Sequence, residues 1–442
     1  MPKTIVLTTV SIVVAAALLS ACGKKEPATD EANQQQQLKP VTLRFFTGDK
    51  DYEQRFKNEI ADKVKQKYPH ISFEFIGLQA GKQFQDLIVA GEAPDIYYQG
   101  LPALNVELVD KNMQYDLTEM IKKTGFDLNR IDPAYLDIIR TASETYGGSY
   151  FGLPVTAYTP VLYYNKDLFD KFSTPYPKDG MTWDEAYELA RRLTRVEDGI
   201  QYRGMTMNFM YLFDNNQIAA PYFRPAEDRA NLNSDGWRTI FNTLGRFYQI
   251  PMSQPIGARS RVLEVGEFTK NRISAMHADV TAAMESFPDD FTNWDMVSLP
   301  TMAEAPATNA QLNPRFYYIM SSSKYKEEAF KVIDFVLSDE MQMSASKAGK
   351  ATVLKNEEIR KAFGQESAKL KGKNTQSFYH NKPVKMSPAR DSKLVTVPAV
   401  TPVNNAFNAF IQGTKDVNTA LRDADEELNK AIEQAKQAKS AK

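Results

Sequence analysis

Apolar and polar positions alternate along Val41-Thr42-Leu43-Arg44-Phe45-Phe46, a period of two that predicts a β-strand, and Gly48-Asp49-Lys50 breaks it. Tyr52, Phe56, Ile60 and Val64 then recur every four residues up to Tyr68-Pro69, the pattern of an amphipathic helix stopped by proline. Alternation returns in Ile71-Ser72-Phe73-Glu74-Phe75-Ile76. Phe84, Leu87 and Ile88 fall at helical spacing before Gly91, the residue type expected just past a helix end, and Pro94 keeps the helix from resuming. Ile96-Tyr97-Tyr98 is a short β-prone run that ends at Gly100. The order is β-α-β-α-β, which helical crossovers fold into a parallel sheet. In open parallel sheets ligands sit beyond the carboxyl ends of the strands, where the strand order reverses, so Tyr98, Gln99 and Gly100 are candidate cleft residues.

Farther along, Gly147-Gly148 marks a turn before the proline-punctuated stretch 150–154 and a strand over 161–167. Thr182-Trp183-Asp184-Glu185 has the spacing of a capping box, ahead of a helix face formed by Ala186, Leu189, Ala190 and Leu193. Residues 211–216 mix polar and aromatic types without a clear period, which predicts irregular structure. Residues 273–279, 294–300 and 316–320 read as extended. Ala329, Phe330, Ile333 and Val336 mark a helix, and Val417, Leu421, Ala424, Leu428 and Ile432 a long terminal one.

The N-terminus changes where such a fold would operate. Lys3 precedes an almost wholly apolar run from 5 to 19, too short for a spanning helix, and Leu19-Ser20-Ala21-Cys22 follows. Cys22 is the only cysteine in 442 residues, so no internal disulfide forms, and it stands where a bacterial lipobox places the lipidated residue. We expect a lipoprotein signal peptide over 1–21, acylation of Cys22, and a disordered tether over 22–40, whose composition lacks anchors for packing. With 54 basic against 55 acidic side chains, charge gives no case for nucleic acid as a partner.

Taken together, the lipobox, Gly91-Glu92-Ala93-Pro94-Asp95, Tyr150-Phe151-Gly152-Leu153-Pro154, Tyr164-Asn165-Lys166-Asp167-Leu168-Phe169, Thr182-Trp183-Asp184-Glu185 and Ile273-Ser274-Ala275-Met276 resemble, in order and spacing, the family 1 extracellular solute-binding proteins of sugar ABC importers. The resemblance implies a two-lobed α/β fold of the periplasmic-binding-protein type II, with mostly parallel sheets flanked by helices and a cleft between the lobes. It places one lobe at 41–155 and 297–347 and the other at 156–296 and 348–442, with crossings near Pro154, Val297 and Gly349. It further implies a monomer with no cofactor that closes on a carbohydrate and hands it to membrane permease subunits, held by its lipid at the outer face of the bacterial cytoplasmic membrane. Residues 43–51 are similar to the first strand and turn of the maltose-binding protein, whose sugar-contacting Asp and Lys match Asp49 and Lys50. A cleft aromatic of that protein falls near Tyr98. Its crossing-strand carboxylate falls on Tyr158, a departure that argues against a maltodextrin. Where many relatives carry a Trp after the Ala-Met strand, this chain has Val280-Thr281-Ala282.

Sugars offer hydroxyls that bond both ways and an apolar C–H face, so their sites combine carboxylates, amides and aromatic rings. Asp49 and Asp279, each just past an expected strand, are the carboxylates we expect to span neighbouring hydroxyls. Tyr98, Gln99 and Tyr158 are expected on the cleft wall, with Tyr211, Phe213 and Asn216 as further contacts. No zinc-protease, nucleophile-elbow or phosphate-loop motif is present, and His70, His277 and His380 lack metal-site spacing. The competing classes are an exported lipid-anchored glycoside hydrolase, which needs two carboxylates about the scissile bond, and a surface lipoprotein with an empty cleft.

Overall fold

The computed structural model describes residues 39–440 apart from 80, 256, 388–389 and 392, so the expected leader over 1–21, Cys22 and nearly all of the tether lie outside the described residues. β1 (Val41–Thr47), β2 (Ile71–Ile76) and β3 (Ile96–Gly100) form where alternation predicts them. β1 lies between the other two and runs parallel to both, which puts the reversal of strand order between β1 and β3. The strand Asn313–Ile319 continues the sheet antiparallel to β3, and β4 (Gly152–Tyr158) closes it, antiparallel to Asn313–Ile319. Phe45, Tyr98, Tyr317 and Ile319 pack on one face with Tyr52, Phe56 and Val64. Phe46, Tyr97, Phe316 and Tyr318 pack on the other with Phe84, Leu87 and Leu104. Burial of both faces is why these strands become nearly continuous apolar runs.

A step of four residues overshoots an α-helical turn by about 40°, so a strict four-residue repeat spirals away from one face. Here a wider π turn, Phe56–Ile60, separates the α-helical stretches Lys50–Arg55 and Ala61–Lys67 and absorbs the drift. Tyr52, Phe56, Ile60 and Val64 are all buried as a result. Gly91 adopts φ 70°, and the Glu92 amide reaches back to the Leu87 carbonyl at 2.8 Å, a Schellman ending that requires the left-handed residue.

The second sheet has the order Trp294–Ser298, β5 (Pro160–Asn165), Met276–Val280 and Thr206–Met207. Only its last pairing is parallel. Both sheets are therefore mixed, and the parallel run is confined to β2-β1-β3, because strands that enter after a passage between lobes arrive from the opposite direction. Each sheet is flanked by helices, as an α/β fold of two lobes demands.

The passages lie later in the chain than the resemblance implies. β4 runs on to Tyr158, and Val297 pairs with Leu162 inside the second sheet, so the chain leaves that sheet only after Ser298 and rejoins the first at Asn313. Val353, Leu354 and Ile359, beyond Gly349, still pack in the first lobe, whereas Phe363, Leu370 and Phe378 pack with the second. Residues 211–216 are also more regular than expected. Phe209–Asp214 is a helix whose cap, Asn208, accepts from the Tyr211 amide at 3.3 Å. Six residues are too few for a period to be visible.

Candidate functional site

Arg315 faces Gly100 directly across the pairing of Asn313–Ile319 with β3. A Cβ at residue 100 would sit 2.3 Å from Arg315 Nη1, so a side chain there would displace the guanidinium from its present place. That guanidinium lies 5.2 Å from the ring centroid of Tyr158, at the end of β4. The Tyr158 carbonyl accepts from the Tyr211 hydroxyl at 3.1 Å, and Tyr211 belongs to the second lobe. Asn313, paired with Tyr158 in the sheet, lies beside Tyr211. Groups from both lobes thus meet at the carboxyl end of β3. An open cleft of ≈ 340 Å³ there is lined by Gln99, Gly100, Pro102, Ala103, Glu107 and Arg315. A second cavity, of ≈ 40 Å³ between Tyr52, Arg55, Thr156, Gln342 and Lys350, has space for little more than water.

The phenols of this region are all held in the protonated form. Burial pushes Tyr52 up to about 12, and it raises Tyr98 and Tyr211 as well. Tyr158 is raised by burial and then by the nearby charge of Asp49. At neutral pH each of these hydroxyls keeps a proton to donate. Arg55 stacks 4.6 Å over the Tyr52 ring, and the Tyr52 hydroxyl is occupied by that of Tyr317.

The sequence-predicted residues divide into three groups. Gln99 lines the cleft, and Tyr158 and Tyr211 meet beside it, where the Arg315 guanidinium faces the Tyr158 ring. Asp49 caps the following helix, with Oδ1 accepting from the Tyr52 amide at 2.9 Å, and Lys50 is exposed beside it. Tyr98 turns inward: its ring stacks on Tyr52 with centroids 3.4 Å apart, and its buried hydroxyl has no partner among the described residues. The remaining three sit inside the second lobe. Phe213 packs among Trp237, Phe241 and Phe407, and Asn216 donates to the Phe213 and Ala220 carbonyls. Asp279 is fully buried. Its Oδ1 accepts from Asn208 Nδ2 at 2.7 Å and from the Val280 amide at 2.7 Å, while Oδ2 lies 3.4 Å from both His277 and Arg261. Since Asn208 caps the helix bearing Tyr211, Asp279 acts on the cleft through that helix. These three are therefore packing or positioning groups, because their polar atoms and faces are already taken.

Arg315, Asn313 and Arg55 are the residues that sequence reading missed. A cation flanked by the buried Pro314 and Phe316, in an otherwise apolar run, was the available signal.

Residues 50–343 match the family model described as bacterial extracellular solute-binding protein. The chain is similar to the sn-glycerol-3-phosphate-binding periplasmic protein UgpB of Rhizobium meliloti (strain 1021), 22% identical over 331 residues that cover 71% of this chain and 75% of the relative. Among solved structures it is similar to the sugar-binding protein MalE of Xanthomonas citri, with TM-score 0.69 and 15% identity over 91% of this chain and 100% of that one. The ABC substrate-binding protein Lmo0181 of Listeria monocytogenes, in complex with cycloalternan, gives TM-score 0.68 and 20% identity over 89% of this chain and 99% of that one. The solved structures share the two-lobed fold, and the family acts outside the cytoplasm. This chain belongs to the bacterial extracellular solute-binding proteins, the substrate-binding components of ABC importers.

Proposed function

We propose that the cleft beyond β3 and β4 captures a carbohydrate of oligosaccharide size, binds it without turnover, and presents it to the permease subunits of the importer. The observation that carries this reading is an open cleft lined by Gln99, Glu107 and Arg315 and flanked, through Arg315, by Tyr158 and by Tyr211 of the second lobe, which sets aromatic rings beside polar groups that can meet hydroxyls. Asp49 and Lys50 border it, Tyr98 underlies it, and Asp279, Phe213 and Asn216 support it from behind. The solutes named for the similar proteins, glycerol phosphate and cycloalternan, are polyhydroxylated. Closure would bend the chain at its passages between lobes. A thermal-shift screen of the full chain against carbohydrates tests this, because a ligand of the folded state raises the melting temperature. The bound sugar should be recovered intact; cleaved product at a catalytic rate would favour a hydrolase.

The anchor is part of the same proposal: removal of 1–21, a palmitate-bearing lipid on Cys22, and a monomer tethered by residues 22–40. Cys22→Ser is expected to move the protein from the membrane fraction to the soluble one. A variant as firmly bound as the parent would contradict it.

A further inference from the structure

The cleft is lined by a guanidinium, that of Arg315, whose charge a neutral sugar does not explain. Hydroxyls of a neutral sugar each need an acceptor as well as a donor. One oxygen of each side-chain acceptor near the cleft is engaged: Asp49 Oδ1 by the Tyr52 amide at 2.9 Å, Gln99 Oε1 by the Gly100 amide at 2.9 Å, and Glu107 Oε2 by the Tyr97 hydroxyl at 2.5 Å. The donors are open. Among the described residues Arg315 forms no ion pair and donates no hydrogen bond, and its guanidinium lies over the π face of Tyr158. Arg55, also without an ion pair among the described residues, lies over Tyr52 on the same side of the sheet. The Tyr98 hydroxyl is buried, protonated and unpartnered, and close enough to Tyr158, Arg55 and Arg315 to feel all three. A guanidinium kept unpaired in a partly desolvated site costs stability unless an anion meets it. Gly100 makes the room for it, at a position where any side chain would push it away.

We propose that the transported solute carries an anionic oxygen group, a phosphate ester or a carboxylate, that docks on Arg315 between Gly100 and Tyr158. The planar guanidinium fork matches either group bidentately, and the Tyr158 hydroxyl supplies a further donor. This inference rests on the cleft being the solute site, and the experiment separates the two.

The full chain in mild detergent is titrated calorimetrically with matched pairs: glycerol and sn-glycerol 3-phosphate, glucose and glucose 6-phosphate, and a neutral disaccharide with its uronic acid counterpart. The charged member of at least one pair should bind and its neutral partner should not; the pair that responds tells phosphate from carboxylate. For that probe Arg315→Gln should weaken binding about 10- to 100-fold, and Arg315→Lys should restore only part of it because the ammonium lacks the fork. Gly100→Leu, which leaves the arginine in place but displaces it, should weaken binding comparably. Raising salt should weaken the parent and not the Arg315→Gln variant. Neutral members that bind as tightly as charged ones would overturn the inference and leave the cleft as a sugar site. Charged members that bind equally to parent and Arg315→Gln would overturn the assignment to Arg315. Failure of every charged probe overturns it too.

Discussion

Asp279→Ala should lower the free energy of unfolding by about 3 to 5 kcal/mol, read by urea titration, although the sequence presents Asp279 as a ligand carboxylate. The side chain is fully buried, and both oxygens are spent on the protein. Removing it strands the Asn208 amide and the Val280 N–H and leaves buried His277 facing a void. Arg261 adds little to this, since its side chain is 52% exposed and its pairing is screened. Asp279→Asn keeps an acceptor for Asn208 and should lose less. A pH dependence follows. Burial alone would raise the Asp279 pKa, but the His277, Arg261 and Asn208 contacts outweigh it and hold the group below its ordinary 3.8. A carboxyl with a depressed native pKa contributes stability above its unfolded value and loses it as pH falls through the native one. Between those two values the parent's stability should therefore decline with falling pH more steeply than that of Asp279→Asn. A loss under about 1 kcal/mol for Asp279→Ala would show that the carboxylate is not part of the interior network.

The other large effect is expected at Phe407. Its ring is fully buried and lies 5.0 Å from Phe209, 4.9 Å from Phe213 and 5.2 Å from Phe241, centroid to centroid. It is the point where the C-terminal segment locks onto the helix that carries Tyr211. Phe407→Ala should cost about 3 to 5 kcal/mol, the loss of transfer energy plus an unfilled cavity. Phe407→Leu should cost less, because it leaves less space. If the alanine variant unfolds at the parental urea midpoint, the cluster is not a unit of the core.

Periodicity and local capping signals made much of both lobes legible. Alternation in 41–46 and 71–76 gave β1 and β2, Gly91 gave the helix end, and Thr182 with Glu185 gave a capping box that closes as expected, with the Thr182 amide donating to Glu185 Oε2 at 2.7 Å. Tyr98 was misplaced although the same alternation contains the answer. Ile96 and Tyr98 share a face, so a core Ile96 sends Tyr98 inward and leaves Gln99 on the cleft side. Arg315 was not legible in that way. Its meaning comes from standing opposite Gly100, a register set by folding residues far apart in sequence into adjacent strands. Asp279 is likewise tied to the interior by Asn208, which no local pattern connects to it. Local rules locate elements, and the partners of a charged residue are decided by tertiary pairing.

The central claim is that solute bridges two lobes and closes them. A ligand shifts an open-closed equilibrium only by the difference of its affinities for the two states, so contacts to Arg315 and Tyr158 on one side and Tyr211 on the other are what would make binding a transport signal. Small-angle scattering of the full chain, with and without a saturating ligand from the titrations above, measures this directly. Closure on solute should give a smaller radius of gyration with ligand bound. An unchanged scattering profile at saturation would contradict it.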